Sequence, residues 1–317
     1  KEGQFELFNR KNGLSEDFVW GLLCDKDGMV WAGTDQNGIN LFSDNELKHL
    51  NTKNGLGSDR VLVLLEDKNG SVWVGTDQLG NQPGGVSFIT RNNLEKKNYL
   101  YKNNTENDGL ISNYTYSLFQ DQQGSIWIGS NNGISVFSGN RFCPIIQDSR
   151  IKGIRIYAIN EDFDKNIWFG TYGSGLFKYY RNNSEKEKLV NYTVSDGLAN
   201  NDVRSIIVDK AGTLWIGTGG GISLFNGVSF RNISTKDGLK SNRIYNMHLD
   251  GKYLYIGSNM GIDLLDYEHF VKTGKISVSY LGTIEPLAAI EANTNGVCHD
   301  QNGDVWFGTV LGLLKYH

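Results

Sequence analysis

The stretch DKNGSVWVGT (67–76) decides how this chain folds. Asp67 and Gly70 suit a hairpin turn, in which glycine takes the positive φ and the acidic side chain caps the backbone. The residues that follow, Val72, Trp73 and Val74, form a β-rich run that returns with the indole on a buried face. The same pattern recurs as DKDGMVWAGT (25–34), DQQGSIWIGS (121–130), DFDKNIWFGT (162–171), DKAGTLWIGT (209–218), DGKYLYIGS (250–258) and DQNGDVWFGT (300–309). The landmark aromatics are Trp31, Trp73, Trp127, Trp168, Trp215, Tyr255 and Trp306. Their spacing of 40 to 54 residues is the period of a propeller blade.

Working outward, each unit supplies four strands. An apolar run such as VLVLLE (61–66) or VRSIIV (203–208) precedes the Asp, and the tryptophan strand follows the turn. A third strand opens on glycine: GINLF (38–42), GVSF (85–88), GISVF (133–137), GLFKY (175–179), GISLF (221–225), GIDLL (261–265) and GLLKY (312–316). A fourth, more polar strand is expected to end in NGL or DGL, at Gly13-Leu14, Gly55-Leu56, Gly109-Leu110, Gly197-Leu198 and Gly238-Leu239. The chain opens in a fourth-type strand, QFELFNRKNGL (4–14), and stops after a third-type one. The reading is therefore an all-β, seven-bladed β-propeller with four antiparallel strands per blade. It forms a single domain over 1–317, and the N-terminal strand completes the last blade.

Composition agrees with this reading. The 317 residues include 39 glycines and only 3 prolines, a balance that serves many tight turns in a folded chain. With 39% hydrophobic residues the chain is not disordered. Its 31 Lys and Arg against 35 Asp and Glu leave a net charge of −4, which argues against a nucleic-acid partner. Apolar runs are too short to span a bilayer, and KEGQFELFNR (1–10) reads as an interior cut or mature end without a leader. Cys24, Cys143 and Cys298 stand far apart and in odd number, so they are expected as buried or incidental thiols without a disulfide framework.

The units D-x-x-G-x-[VIL]-W-x-G-[TS]-x-x-G-[ILV], followed by [ND]-G-L-x-x-[ND], resemble the two-component regulator propeller repeat over essentially the whole chain. That resemblance implies the periplasmic sensor region of an inner-membrane receptor, including hybrid two-component sensor histidine kinases of Bacteroidetes. It further implies a downstream immunoglobulin-like domain, a membrane helix and a kinase or other output domain, a receptor homodimer, and for some members an oligosaccharide ligand.

Strand direction predicts where such a ligand sits. The loops leading into the first strands, and those joining second to third strands, share a top face, with the D-x-x-G turns on the other. Five residues before each Asp lie Trp20, Leu62, Tyr116, Tyr157, Arg204, Tyr245 and Asn295, and seven before lie Phe18, Arg60, Tyr114, Arg155, Asp202, Arg243 and Asn293. These are expected to ring the mouth of a central channel. Aromatic faces beside guanidinium groups suit stacking on sugar rings and bonding to hydroxyls or carboxylates. The ligand-binding candidates are Trp20, Arg60, Tyr116, Tyr157, Arg155, Tyr172, Arg204, Arg243, Tyr245 and Asn81. Gln82, Asn37, Asn131 and Asn132 are expected to add amides. Two stretches, DQLGNQPGG (77–85) and YKNNTENDGL (101–110), are read as lengthened top loops.

Other chemistries find weaker footing. DKDG (25–28) matches the start of a calcium loop, but Gln36 stands where a bidentate Glu is required. TGGGIS (218–223) lacks phosphate-loop spacing and reads as a tight blade loop. His49, His248, His269, His299 and His317 offer no metal spacing, and there is no G-x-S-x-G elbow. RNNSEKEK (181–188) reads as a solvated turn. No catalytic residue, metal or cofactor is assigned. The alternatives are a protein-interaction scaffold and a propeller lyase of the kind that linearises cyclic depsipeptide antibiotics.

Overall fold

The repeats fold into seven four-stranded antiparallel sheets. The computed structural model describes residues 4–43, 46–96, 99, 101–143, 148–181, 188–281 and 291–317. Two compact units emerge, Lys1–Ile156 with Asn295–His317, and Tyr157–Thr294. The fold is a seven-bladed β-propeller with four strands per blade. The first strands of blades 1 to 7 are Val19–Cys24, Arg60–Glu66, Thr115–Gln120, Ile156–Glu161, Val203–Val208, Ile244–Leu249 and Ala292–His299.

In the last blade, the N-terminal strand Phe5–Phe8 pairs with Gly312–Tyr316, with Phe5 opposite Tyr316 and Phe8 opposite Leu313. The outermost strand of that sheet therefore comes from the other end of the sequence, as the phase of the two termini predicts. Phe8 stacks on Trp306 at 5.6 Å, so the closure buries aromatic surface as well as backbone polar groups.

The repeated Asp has two tasks. In Asp67, one carboxylate oxygen accepts from the backbone N–H groups of Asn69 and Ser71 at 2.9 Å, and the other accepts from the Trp73 indole at 2.9 Å. The indole bond recurs at Asp25, Asp121, Asp162, Asp209 and Asp300. It satisfies the one polar atom of a side chain otherwise packed in the core, and so lets Trp31, Trp127, Trp168 and Trp215 lie almost wholly buried. The W-x-G glycine is a packing requirement: a Cβ on Gly75 would lie 2.5 Å from Thr115 Cγ2 of the next blade.

The N/D-G-L motif lies past the fourth strand, where the sequence reading placed it at the strand's end. In blade 4 the strand stops at Tyr192, a single 3₁₀ turn spans Val194–Asp196, Gly197 takes the left-handed conformation and Leu198 enters the core. The last residue of N/D-G-L-x-x-N/D then accepts from the first N–H of that turn: Asp59 from Thr52, Asn113 from Glu106, Asn201 from Val194 and Asn242 from Thr235. Each lead-in loop is thereby folded on itself. YKNNTENDGL (101–110) is likewise no lengthened loop. It contains the fourth strand Lys102–Asn104 and the 3₁₀ turn Glu106–Asp108 of blade 2.

Two further differences appear. Short helices, Arg91–Glu95 and Tyr267–Thr273, follow the third strands of blades 2 and 6. Cys24 and Cys298, expected as thiols, form a disulfide with Cα atoms 5.7 Å apart, leaving Cys143 free. The pairing joins the first strands of blades 1 and 7, which are neighbours in space although their cysteines are 274 residues apart. Most of the RNNSEKEK turn, 182–187, lies outside the described residues.

Candidate functional site

In five blades the residue five before the Asp shares a backbone feature that spacing alone does not reveal. In blades 2, 3, 5 and 6 the pairing of first and second strands slips by one residue at Leu62, Tyr116, Arg204 and Tyr245, and in blade 1 it slips across Trp20 and Gly21. These are β-bulges, which take the extra residue out of the register of the strand ladder and re-aim its side chain. The preceding turns set the launch direction. The backbone N–H groups of Arg60, Tyr114, Asp202 and Arg243 each donate to the side chain two residues earlier, at Ser58, Ser112, Asn200 and Ser241.

In the unit Tyr157–Thr294 four of the candidates come together, two of them, Arg204 and Tyr245, at bulges. The Arg204 guanidinium carbon lies 5.5 Å from the ring centre of Tyr157, 5.9 Å from that of Tyr172 and 5.0 Å from that of Tyr245. Arg204 Nε and Nη2 both donate to one oxygen of Asp202, at 3.0 and 2.9 Å. Tyr172 is exposed, Tyr157 half-buried and Tyr245 buried, so the cluster runs from solvent inward. Burial raises the Tyr245 phenol above its ordinary range and the nearby Glu291 carboxylate adds to this, while Arg243 and Arg204 pull it down. Arg243 itself is exposed at the rim. The 219–221 glycine run passes close by: Gly219 N–H donates to the Asp202 carbonyl at 2.9 Å, and a Cβ on Gly220 would meet the Ala199 carbonyl at 2.5 Å.

A second group forms in the other unit. Trp20 Nε1 donates to Asp35 Oδ1 at 3.0 Å, and its ring lies 4.9 Å from Phe18. Arg60 Nε lies 3.1 Å from the same Asp35 oxygen, and Arg60 Nη1 lies 3.8 Å from Asp77. Burial raises the Asp77 carboxyl above its usual range, against the pull of its bond to the Gln78 backbone N–H and the charges of Arg60 and Arg155. Arg155 is exposed. Tyr114 donates its hydroxyl to Gln78 at 2.5 Å.

The remaining candidates are placed differently. The Tyr116 carbonyl accepts from Asn295 Nδ2 at 2.9 Å, and the Leu62 carbonyl accepts from the same nitrogen at 3.3 Å. Asn295 therefore binds backbone, and it holds a positive φ of 61° to do so. Asn81 is exposed in the blade 2 loop. Beside it Gln82 bonds Ser58 and Asp59, and Asn37, Asn131 and Asn132 bond Glu16, Ser112 and the Gly153 N–H. These amides stitch loops. Sequence reading passed over the partners Asp35, Asp77 and Glu291, and named Asp202 only as a rim position. A signal existed for two of them, because Asp35 and Asp77 follow Gly-Thr in the parallel segments GTDQ (33–36) and GTDQ (75–78).

Segments 13–36, 55–78, 109–132, 151–173 and 197–220 match the model of the family described as two-component regulator propeller. These units are two-component regulator propeller repeats. A Formosa agariphila protein named histidine kinase P4 is 27% identical over 75% of this chain, and the match spans only 18% of that relative's length. Among solved structures, the extracellular domain of a putative hybrid two-component system from B. thetaiotaomicron matches with a TM-score of 0.74 at 18% identity. It covers 100% of this regulator propeller and 42% of that chain. The Staphylococcus aureus virginiamycin B lyase, in an inactive variant with quinupristin, matches at 0.72 and 16% identity over 99% of both chains. Identities this low show a shared fold. Among the described residues of the regulator propeller, no helix is long and apolar enough to cross a membrane, and no group of three or more His, Cys, Asp or Glu side chains is arranged to hold a metal.

Proposed function

We propose that this regulator propeller is the extracytoplasmic ligand-sensing domain of a bacterial two-component sensor histidine kinase, and that its ligand is a carbohydrate or oligosaccharide. The observation that carries the ligand class is the Arg204 cluster, with three tyrosine rings within 6 Å of one half-buried guanidinium. Ring faces stack on sugar CH groups, and a fixed guanidinium donates to hydroxyls. The relative named histidine kinase supports the receptor context, as does the likeness in fold to extracellular domains of two-component systems. Signal passage to downstream domains of the same receptor follows if saccharide binding favours one receptor arrangement over another, through a difference in affinity for the two. The fold likeness to a lyase suggests an enzyme instead. However, His49 and His269 lie on a fourth strand and a helix, His248 and His299 sit at the D-x-x-G end of first strands, and the Arg204 cluster is built of Arg, Tyr and Asp.

The test is thermal denaturation of the purified propeller with and without a panel of oligosaccharides. A saccharide that raises the melting temperature of the parent and leaves that of Arg204→Ala unmoved supports the reading. A protein partner bound in place of any saccharide replaces it with a scaffold role. For a saccharide present at about 100 times its Kd, the stabilisation expected in the parent is about 2.7 kcal/mol.

A further inference from the structure

We propose that the seam between blades 2 and 3 is a docking groove for a short acidic peptide segment of a partner protein, one that carries an apolar side chain beside its carboxylates. The groove uses no residue of the Arg204 cluster and does not rest on the saccharide reading. Two cavities of about 300 Å³ each lie along this seam and share Phe137 and Asn140 in their walls. The first lies among the D-x-x-G turns of the two blades, at Asn69 and Gln123. The second lies between their fourth strands, at Lys102 and Arg141. Two sister blades treat the same strand position differently. In blades 4 and 7 the fourth residue of the third-strand motif is a lysine, Lys178 or Lys315. It lies 4.9 or 5.0 Å over its own blade's indole and pairs with Asp162 or Asp304. Blade 2 has Phe88 there, stacked on Trp73 at 4.9 Å, and its cation Lys102 stands on the fourth strand instead.

The uncommitted groups define the occupant. Among the described residues, the side chains of Asn69, Gln123 and Asn140 make no hydrogen bond, and each amide offers a donor and an acceptor that match a peptide backbone. Lys102 and Arg141 are exposed and form no ion pair among the described residues. Asp108, the acid in the same cavity, spends one oxygen on the Thr105 backbone N–H and hydroxyl. Two cations against one partly occupied carboxylate leave a local positive excess in a chain of net charge −4, and such a pair attracts carboxylates. The rings argue against a sugar. Phe88, Trp73, Phe137 and Phe142 follow one another at 4.9, 5.0 and 4.9 Å, so ring surface is spent on other rings. A pyranose stacks on an open face, whereas an aliphatic or aromatic side chain packs against ring edges. The lip between the cavities is also preformed. Ser138 and Arg141 pair across a two-residue turn in which Gly139 and Asn140 hold positive φ, 58° and 62°. Asn140 and Arg141 are thus presented together before a ligand arrives.

The experiment is panning of a phage-displayed random heptapeptide library on the purified propeller, followed by fluorescence anisotropy of the enriched peptides made synthetically. Enriched sequences are expected to carry Asp or Glu within a few positions of a large apolar residue. Lys102→Glu with Arg141→Glu is expected to weaken such a peptide about tenfold or more, since two exposed pairs are lost and two repulsions gained. Asn140→Gly, which keeps the positive φ and removes the amide, is expected to weaken it about threefold. Reversing two exposed lysines outside the groove, Lys236→Glu with Lys275→Glu, is expected to change affinity less than about twofold. The proposal is overturned by a library that yields no binder, by binders without acidic residues, or by acidic binders indifferent to the groove reversal. An equal loss in the control reversal overturns it too, because the attraction is then diffuse. Sulfated or uronic oligosaccharides that respond to the groove reversal where no peptide does assign the groove to a polyanionic saccharide instead. An unchanged melting temperature verifies that the reversed variants fold, and Arg141→Gln tests the same direction at smaller size if the double variant does not.

Discussion

The motif aspartates concentrate several interactions in one side chain, and Asp162 shows the consequence for pH. Burial opposes its charge, but the Trp168 indole, the Asn166 side chain and backbone N–H, and Lys178 at 3.3 Å outweigh that and hold it below the usual carboxylate range. With the folded value below the unfolded one, the unfolded chain takes up the proton first. The stability Asp162 contributes is therefore complete above the ordinary Asp range and lost as pH falls through the depressed value. Asp162→Asn is expected to cost about 1–3 kcal/mol at neutral pH and to flatten the acid side of the stability curve, measured by urea midpoints between neutral and acidic pH. Trp20 is a milder case. Its indole N–H binds an Asp35 oxygen that Arg60 also holds, so Trp20→Phe is expected to cost only about 1 kcal/mol in the same urea assay. A much larger loss would make Trp20 a packing residue first and a ligand candidate second.

At the scale of the element, the third strand depends on its opening glycine. Gly221 has φ +119°, and a Cβ there would lie 2.3 Å from the Ile233 carbonyl. Both strain and backbone collision follow, so Gly221→Ala is expected to destabilise by about 2 kcal/mol or more, against about 1 kcal/mol for exposed Gly227→Ser in the bend beyond the same strand, where only strain acts. Denaturant unfolding of the two variants checks this. The comparison separates a glycine demanded by space from one demanded only by φ, since a Cβ on Gly227 meets nothing within 4 Å. N/D-G-L-x-x-N/D was visible as a motif, yet its purpose is a side chain reaching back seven residues to cap a 3₁₀ turn. No strand-by-strand reading of periodicity contains that bond.

For the molecule as a whole, the last blade is closed twice, by the strand Phe5–Phe8 and by the Cys24–Cys298 disulfide. Under denaturing, non-reducing conditions thiol titration is expected to find one free cysteine per chain, Cys143, and after reduction all three. Reduction, or Cys24→Ser, is expected to lower stability by about 2–5 kcal/mol, because the cross-link restricts the unfolded chain over a long loop. Two or more free thiols in the unreduced protein would remove the disulfide from the account. Deleting residues 1–8 is expected to leave the Gly312–Tyr316 edge unpaired and to promote association at high concentration, read by light scattering.

The sequence by itself determined the blade number, the four-strand plan and the completion of the last blade by the N-terminus, because turn chemistry and strand periodicity are local and repeat seven times. It also located the registers from which Tyr157, Arg204 and Tyr245 approach one another. Only the tertiary structure decided what those registers do. Bulges take Arg204 and Tyr245 out of the strand ladder, Asn295 is diverted to backbone carbonyls, Asp202 takes up Arg204, and Cys24 meets Cys298. Each of these depends on contacts between residues that are distant in the chain or on a one-residue slip in pairing. A local pattern carries no record of either, since the same residues would give the same periodicity with or without them.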